Sequence, residues 1–311
     1  MTDAGKTGRR VGVLMGGLSS EREVSLRTGA AVASALRGAG HDVVEVDVGK
    51  DVARRLLDAR IDVAFVALHG RYGEDGCIQG LLESLFIPYT GSGVLASALA
   101  MDKVAAKRML ESRGIPTPAF RVFDTAAEAL AAEATLGLPL PVVVKPSREG
   151  SSVGVHVCKS WEAYRGAVVE AATHAGQLLV EAFVAGREVQ GAVLDGEALG
   201  VIEVVPGREF YDFQAKYGAN SGTQYLFPAP LPEAQYARVN EVCLAAHRAL
   251  GCAGASRSDV ILTPGGEVFL LEVNTLPGMT ASSLLPKIAA GQGISFTALC
   301  ERLLAGASLK A

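Results

Sequence analysis

The sequence predicts a mixed α/β protein of two or three domains, and three observations support this prediction. Strands and helices alternate over the first hundred residues, in the order that builds a parallel sheet. A β-branched strand at 142–144 runs into a lysine and a Gly/Ser-rich loop, and two apolar strands near residues 257 and 272 carry polar residues on one face. With 311 residues and 49% hydrophobic content, the chain is long enough to bury a large core.

The composition of the chain indicates which ligands the protein binds and in which cellular compartment it is expected. The formal net charge of −4 argues against a nucleic acid or an anionic membrane as partner, so small molecules are expected. The five cysteines are scattered, without a C-x-x-C pair, and are expected as small buried side chains in a reducing compartment. The apolar run 11–15 is too short for a signal peptide and no run is long enough to cross a membrane, so a cytoplasmic protein is expected.

The first domain is predicted at residues 1–101. Strand and helix alternate there as βαβαβ, at 11–15, 21–37, 41–48, 52–58 and 61–68. A Gly-rich loop at 70–76 and an amphipathic helix at 78–86 follow. This order predicts a parallel sheet with helices on its faces.

The second and third domains are predicted at 102–184 and 185–311. A boundary near 91–101 and the prolines at 116 and 118 separate the second domain from the first. The second domain is predicted as small and α+β, with a strand and a helix before the hairpin, helix and strand at 142–157, 161–172 and 178–181. The third is predicted to begin with strands at 188–194 and 198–204, followed by a long polar loop at 207–229 and a helix at 233–250. A hairpin that turns at 264–266 and two short helices complete it.

The loop after the strand at 142–144 is typical of a site that holds a polyphosphate. Lys145 supplies a positive charge at the strand end, and residues from Glu149 to Gly154 leave backbone N–H groups accessible to anionic oxygens. The alternative interpretation is an ordinary surface hairpin turn.

The two apolar strands of the last hairpin predict a metal site. Arg257 and Asp259 point to one face of their strand, and Glu272 and Asn274 do so on its partner. Two carboxylates do not share an apolar site without a counter-charge, and two carboxylates with an amide oxygen suit Mg²⁺. The alternative is a solvated hairpin face with cross-strand ion pairs.

Nine short blocks of sequence follow one another along the chain, at 16–25, 67–70, 73–76, 89–93, 101–103, 144–154, 215–217, 257–260 and 272–280. Singly these blocks are weak or moderate signals, but as an ordered set they closely resemble the signature blocks of the D-alanine:D-alanine ligases of the ATP-grasp superfamily. The resemblance covers the chain from near residue 11 to near residue 300.

This resemblance implies an α/β fold of ATP-grasp architecture, with three α/β or α+β domains and ATP bound between the central and C-terminal ones. The N-terminal domain would bind the first substrate. The implied activity is ATP-dependent ligation of two D-alanine molecules through a D-alanyl phosphate, for peptidoglycan precursors. ATP and two Mg²⁺ ions, which Mn²⁺ can replace, are the implied cofactors, and the implied protein is a cytoplasmic homodimer.

The resemblance also implies which residues hold ATP and metal. The ATP-binding positions are Lys103, Lys145, Glu149, Ser152, Glu181 and Glu188. Among these, Lys103 and Lys145 would contact phosphates, and Glu181 and Glu188 would hold the nucleoside. The two Mg²⁺ ions would be bound by Asp259, Glu272 and Asn274.

The implied substrate contacts are spread over the whole chain. Glu21 would anchor the ammonium of the first D-alanine near His69, and would share a hydrogen-bonded triad with Ser151 and Tyr217. Arg257, with backbone N–H groups near Gly278, would stabilise the oxyanion of the tetrahedral intermediate. Lys216 would reach the phosphoryl group, and Ser283 and Leu284 would lie beside the carboxylate of the second D-alanine. The loop that carries Lys216 and Tyr217 is predicted to act as a lid that excludes water.

Several of these residues have a simpler alternative. Glu21 could favour the positive end of a helix, within the capping box formed by Ser20 and Glu23. His69 could be a core histidine with satisfied hydrogen bonds, and Glu181 could end its strand in solvent.

Three alternative functions stay open. The second substrate could be D-lactate or D-serine, although Tyr217 by resemblance favours D-alanine. A catalytically silent nucleotide-binding regulator is opposed by the complete polar set of the hairpin. An NAD-dependent dehydrogenase is suggested only by the G-x-G-x-x-A pattern at 91–96, which does not follow the first strand.

Overall fold

The computed structural model describes residues 8–150, 153–174, 176–207 and 222–310. The strands in chain order are β1 (Arg10–Gly16), β2 (Asp42–Val48), β3 (Val63–Val66), β4 (Phe120–Phe123), β5 (Val142–Pro146), β6 (His156–Cys158), β7 (Leu178–Ala182), β8 (Arg187–Leu194), β9 (Glu197–Val205), β10 (Gln224–Leu226), β11 (Ala255–Leu262) and β12 (Val268–Asn274). The helices are α1 (Arg22–Gly38), α2 (Val52–Ala59), α3 (Cys77–Ser84), α4 (Val94–Met101), α5 (Lys103–Ser112), α6 (Ala126–Ala131), α7 (Trp161–Ala171), α8 (Glu233–Ala249), α9 (Leu284–Gly291) and α10 (Phe296–Ala305), with a 3-10 turn at Glu133–Thr135.

The first sheet has the parallel order β2-β1-β3 that the sequence predicts. Its central strand is buried from Val11 onward, because α1 covers one face while α2 and α3 cover the other. The apolar side chains of α1 that make this contact recur at helical spacing, as Val32, Ala33 and Leu36.

The second sheet has the antiparallel order β4-β7-β5-β6. The predicted hairpin is confirmed as β5 and β6, in which Val142 lies opposite Cys158. Helices α6 and α7 cover one face of this sheet, where Tyr164 is completely buried. The other face carries Lys145 and Glu181 toward the rest of the molecule.

The third sheet has the antiparallel order β10-β9-β8-β11-β12. Helix α8 packs against one face, where Val189, Val193 and Val260 are buried. On the opposite face, an apolar half built around Ile202 and Val204 shares a core with α1, α9 and α10. The polar half of that face lies beside this core and includes Arg257 and Asp259.

Helix α5 connects the second and third sheets. Its side chains Ala106 and Leu110 pack into the core of the third sheet, whereas its Lys107 pairs with Glu181 of the second. Each of the three sheets falls within one of the three predicted domains, and the domain boundaries themselves stay predictions.

Two expectations need correction. The predicted polar loop at 207–229 contains a short strand, β10, at its far end, because Gln224–Leu226 pairs with β9. The cysteines are not uniformly buried: Cys77 is exposed and Cys252 is half-buried, while Cys158, Cys243 and Cys300 are buried. Among the described helices, none combines the length and the apolar composition needed to span a membrane.

Candidate active site

A cleft of about 500 Å³ opens where the three sheets meet. Its walls combine residues from the first domain, the loop after β5, helix α5 and the β11-β12 hairpin. The predicted site residues that line this cleft are Glu21, His69, Lys103, Glu149, Arg257, Glu272, Asn274, Gly278, Ser283 and Leu284. Residues as far apart in the chain as Glu21 and Leu284 are therefore brought to one space, which only the tertiary fold achieves.

Glu21 stands immediately before α1, at the carboxyl end of the parallel sheet. It is the N-cap residue of α1 and makes no side-chain capping hydrogen bond, so it lies at the positive end of the helix, as the simpler alternative expects, with its carboxylate not used by the cap. A Cβ added at Gly70 would lie 2.7 Å from Glu21 Oε2, and one added at Gly150 would lie 3.2 Å away. The two glycines therefore let this carboxylate reach the junction between the first domain and the loop of the second.

His69 lies in the wall next to Glu21 and is 7% exposed. Its Nδ1 is 3.2 Å from Glu74 Oε1, and its Nε2 is 3.1 Å from Thr28 Oγ1. Both ring nitrogens thus have protein partners, as the core alternative expects, although the ring also lines the cleft. Its contacts make His69 a rigid part of the wall, and a substrate contact stays a prediction.

Lys103 is positioned by the cap of its own helix. Asp102 Oδ1 accepts hydrogen bonds from the backbone N–H groups of Val104 and Ala105, at 3.1 Å each, and Asp102 Oδ2 accepts one from Arg148 at 2.8 Å. Lys103 Nζ donates to the carbonyl oxygen of Glu149 at 2.5 Å. The same ammonium lies 3.7 Å from Glu272 Oε2, so Lys103 connects the loop of the second sheet to the hairpin of the third.

A buried cluster of three charges lies behind this loop. Glu181 is 2% exposed and pairs with Lys107 at 2.7 Å and with Lys145. Burial alone raises the pKa of Glu181, but the attraction of Lys145 and Lys107 outweighs it and holds this pKa below its usual value. Two ammonium groups share one carboxylate, which leaves an excess of positive charge suited to an anionic ligand.

The burial of this cluster tests two of the simpler alternatives, a solvent-exposed Glu181 and an ordinary surface turn after Lys145. Glu181 does not end its strand in solvent, so that alternative is wrong. Lys145 and Ser147 are 7% and 1% exposed, so the start of the loop is not an ordinary surface turn. Neither Lys145 nor Glu181 lines the main cleft, and their contacts with ATP stay predictions.

The polar face of the hairpin is arranged as its strand register requires. Arg257 lies opposite Asn274 and Asp259 opposite Glu272, and a bulge follows at Asp259 and Val260. Asp259 is 5% exposed and accepts a hydrogen bond from Arg257 Nε at 3.0 Å. Asp259 is therefore buried, whereas Arg257, Glu272 and Asn274 are partly exposed, so the face is neither fully solvated nor fully enclosed.

The oxygen donors of this face fit a hard divalent cation. Two carboxylates lie directly opposite each other, and each already has a cationic neighbour, Arg257 or Lys103. Asn274 Oδ1 accepts a hydrogen bond from the N–H of Leu276 at 2.9 Å, which fixes the direction of its amide. In the described part of the chain, no group of three or more His, Cys, Asp or Glu side chains could hold a metal, so this set depends on the amide as third donor.

A tight turn after β12 forms the end of the cleft. Ser283 Oγ accepts a hydrogen bond from the N–H of Thr280 at 3.1 Å. A Cβ added at Gly278 would lie 2.7 Å from Ser283 Oγ, so the close approach requires glycine there. Leu284 begins α9 and is buried beneath the turn.

Some predicted residues lie elsewhere. Glu188 projects from β8 without lining the cleft, and Ser151, Ser152, Lys216 and Tyr217 lie outside the described residues. Sequence reasoning missed Lys107 and Gln190, of which Gln190 lines the cleft. Lys107 could have been found from its place on the apolar stripe of α5, between Val104 and Leu110. Gln190 could have been found from its two-residue spacing from Glu188, which puts both side chains on one face of the strand.

Comparison with known proteins identifies the family. Two family profiles match the chain: "D-ala D-ala ligase C-terminus" at residues 109–305 and "D-ala D-ala ligase N-terminus" at residues 51–92. The D-alanine–D-alanine ligase of Anaeromyxobacter sp. (strain K) is 58% identical over 305 residues, covering 98% of this chain and 99% of the relative. That of Geotalea uraniireducens is 54% identical over 302 residues, covering 97% and 96%.

Solved structures agree with the sequence comparison. The D-alanine–D-alanine ligase from Bacillus anthracis complexed with ATP superposes with a TM-score of 0.84 at 36% identity, covering 96% of this chain and 97% of that one. The VanG D-Ala:D-Ser ligase from Enterococcus faecalis gives a TM-score of 0.83 at 29% identity, covering 96% and 99%. The predicted ATP-grasp fold is confirmed by this likeness, and the chain belongs to the D-alanine–D-alanine ligase family.

Proposed function

We propose that this chain is an ATP-dependent, ADP-forming ligase that joins two D-alanine molecules into D-alanyl-D-alanine. One observation carries the proposal: a carboxylate of the first domain, Glu21, faces the same cleft as the Arg257, Glu272 and Asn274 side chains of the third. An amino acid has an ammonium and a carboxylate a short distance apart. The cleft offers the Glu21 carboxylate for the first and the Arg257 guanidinium for the second.

The first step makes the carboxylate of one D-alanine reactive. A carboxylate oxygen bonds to the γ-phosphorus of ATP as the bond from that phosphorus to ADP breaks, which gives D-alanyl phosphate and ADP. Lys103 and Lys145 hold phosphate oxygens, and the buried cluster around Glu181 supports this with its excess positive charge. Asp259, Glu272 and Asn274 would hold Mg²⁺, which would neutralise charge on the phosphate oxygens.

The second step forms the peptide bond. The amine of the second D-alanine, having lost one proton from its ammonium form, attacks the acyl carbon. Negative charge gathers on the former carbonyl oxygen, where the Arg257 guanidinium and backbone N–H groups near Gly278 stabilise it. The intermediate collapses as the bond from carbon to the phosphate oxygen breaks, and the nitrogen loses a second proton.

Other features of the proposal are supported by family membership alone. We propose that the enzyme uses Mg²⁺, works in the cytoplasm and forms a homodimer. Its product would supply peptidoglycan precursors, and through them cell wall biogenesis and cell shape. Ser151, Lys216 and Tyr217 are proposed as further contacts of substrate and phosphoryl group.

The direct test is a product assay with purified protein, Mg²⁺ and ATP. With D-alanine, we expect equal amounts of phosphate and dipeptide, and with D-lactate or D-serine as second substrate much less product. Absence of D-alanine-dependent phosphate release would reject the ligase. Preferential formation of an ester would identify D-lactate as the second substrate, and preferential formation of D-alanyl-D-serine would identify D-serine.

A further inference from the structure

Gln190 is a buried amide in the cleft that has no role in the proposed reaction so far. It lies in the middle of β8, is 1% exposed and lines the cleft. Its Oε1 is buried and lacks a hydrogen-bond partner among the described residues. A buried acceptor left unpaired destabilises a fold, so an unpaired one on a residue that lines a binding cleft indicates a donor supplied by a ligand.

The strand register shows what lies beside this amide. Gln190 is directly opposite Asp259, and Asp259 is directly opposite Glu272. Residues opposite each other in antiparallel strands project to the same face of the sheet. Gln190, Asp259 and Glu272 therefore form one row across β8, β11 and β12, with Ile202 on the far side of Gln190.

The ligand groups expected in the cleft differ in what they offer this oxygen. Phosphate and carboxylate oxygens only accept hydrogen bonds, so they cannot satisfy Oε1, and the ammonium of the first D-alanine is assigned to Glu21. A divalent cation of the Mg²⁺ type binds few protein oxygens and keeps several waters, whose protons are strong donors. An outer acceptor next to a metal ligand is a common means of fixing such a site.

We propose that Gln190 is a positioning residue of the metal site, whose amide oxygen accepts a hydrogen bond from a water on the cation at Asp259. This inference rests on the proposed function, which supplies the cation. It assigns Gln190 to cation binding rather than to packing. The two roles predict opposite effects of removing the amide on the thermal stability of the ligand-free protein.

The variant Gln190→Met separates these roles because it keeps the length of the side chain and removes both polar atoms. A positioning role predicts that the Tm of the ligand-free protein rises, since the unpaired oxygen is gone. It also predicts that Mn²⁺ affinity in the presence of ADP falls by about threefold to tenfold. A packing role predicts a lower Tm and unchanged Mn²⁺ affinity.

Two further variants control the experiment. Gln190→Glu keeps an acceptor and adds a charge, so we expect Mn²⁺ affinity at least equal to that of the wild type and a lower ligand-free Tm, because three carboxylates then share the row. Ser258→Ala alters a buried neighbour of Asp259 on the opposite face of β11, so its Mn²⁺ affinity should equal that of the wild type.

The measurement is titration of the full chain with Mn²⁺ at saturating ADP, with free Mn²⁺ counted by electron paramagnetic resonance, beside thermal unfolding without ligands. Reduced affinity in Gln190→Met, with affinity retained in Gln190→Glu and Ser258→Ala, would support the inference. Binding by the wild type and equally by Gln190→Met would overturn this inference alone. A wild type that binds no Mn²⁺ with ADP would overturn the proposed metal site together with it.

Discussion

Lys107 Nζ lies 2.7 Å from Glu181 Oε1, in an ion pair whose side chains are only 1% and 2% exposed. The same carboxylate pairs with Lys145, at the end of the strand that leads to the loop. Burial lowers the pKa of Lys107, and the attraction of Glu181 opposes that effect. Glu181 therefore stabilises two buried cations at once, and the three residues depend on one another.

The first prediction concerns the stability of this cluster. Glu181→Gln leaves two buried ammonium groups without a counter-charge and should lower the free energy of unfolding by about 3–5 kcal/mol. Lys107→Met leaves Glu181 paired with Lys145 and should lower it by about 1–3 kcal/mol. Urea unfolding measures both, with Arg165→Met in the exposed pair with Glu133 as control, where less than about 1 kcal/mol is expected. Equal losses in the two cluster variants would show that the carboxylate is not shared.

The second prediction concerns the metal site. Glu272→Gln removes a charged oxygen and keeps the volume, so turnover should fall at least about a hundredfold while the circular dichroism spectrum stays unchanged. Glu267→Gln, at the exposed turn of the same hairpin, is the matched control and should keep full turnover. Normal turnover of Glu272→Gln at low Mg²⁺ would refute the assignment of this carboxylate.

The third prediction concerns the first substrate. If Glu21 binds the ammonium of the first D-alanine, Glu21→Gln should raise the KM for that substrate by about tenfold to a hundredfold, since the lost hydrogen bond is charged. Glu23→Gln, at an exposed position in the first turn of α1, should leave KM unchanged. Steady-state kinetics measures both variants, and an equal KM in all three proteins would place the ammonium elsewhere.

The fourth prediction concerns the turn at the end of the cleft. Gly278→Ala puts a methyl group within 2.7 Å of Ser283 Oγ, so the turn must shift and turnover should fall by about tenfold to a hundredfold. Ser283→Ala removes the clashing atom. The double variant should therefore be more active than the product of the two single effects, as measured by a double-mutant cycle. Strictly additive effects would contradict the contact.

The fifth prediction concerns pH. Burial, with a smaller contribution from Arg248, lowers the pKa of His247, whose Nδ1 lies 2.7 Å from Ser256 Oγ. The unfolded chain then binds the ring proton more readily than the folded one, so stability is lost as pH falls below about 6.5. Urea unfolding at pH 7.5 and 5.5 should show a smaller loss for His247→Asn than for the wild type. His156→Asn, at a partly exposed position, is the control and should lose as much stability as the wild type. A loss in His247→Asn equal to that of the wild type would contradict the assignment.

The sequence predicted those features that depend on local periodicity. The βαβαβ order of the first domain and the paired polar residues of β11 and β12 follow from side-chain alternation and helical spacing, and both are confirmed. The sequence predicted that these four polar groups share one face, and the structure adds the register that places Arg257 opposite Asn274.

Features that arise from tertiary contacts could not be predicted in this way. The pairing of Lys107 with Glu181 joins a helix to a strand more than seventy positions away, and nothing local to either residue indicates it. The short strand β10 forms only because β9 offers a free edge. Gln190 resembles any polar residue of a strand until the fold places it beside Asp259.

The measurement that tests the central claim most directly follows the oxygen atoms of the substrate. D-Alanine labelled with ¹⁸O in both carboxylate positions would be converted with unlabelled ATP, and the released phosphate analysed by mass spectrometry. Formation of D-alanyl phosphate predicts one ¹⁸O atom in each phosphate, because the attacking oxygen leaves with phosphorus. Phosphate released without label, alongside normal dipeptide formation, would contradict the acyl phosphate route.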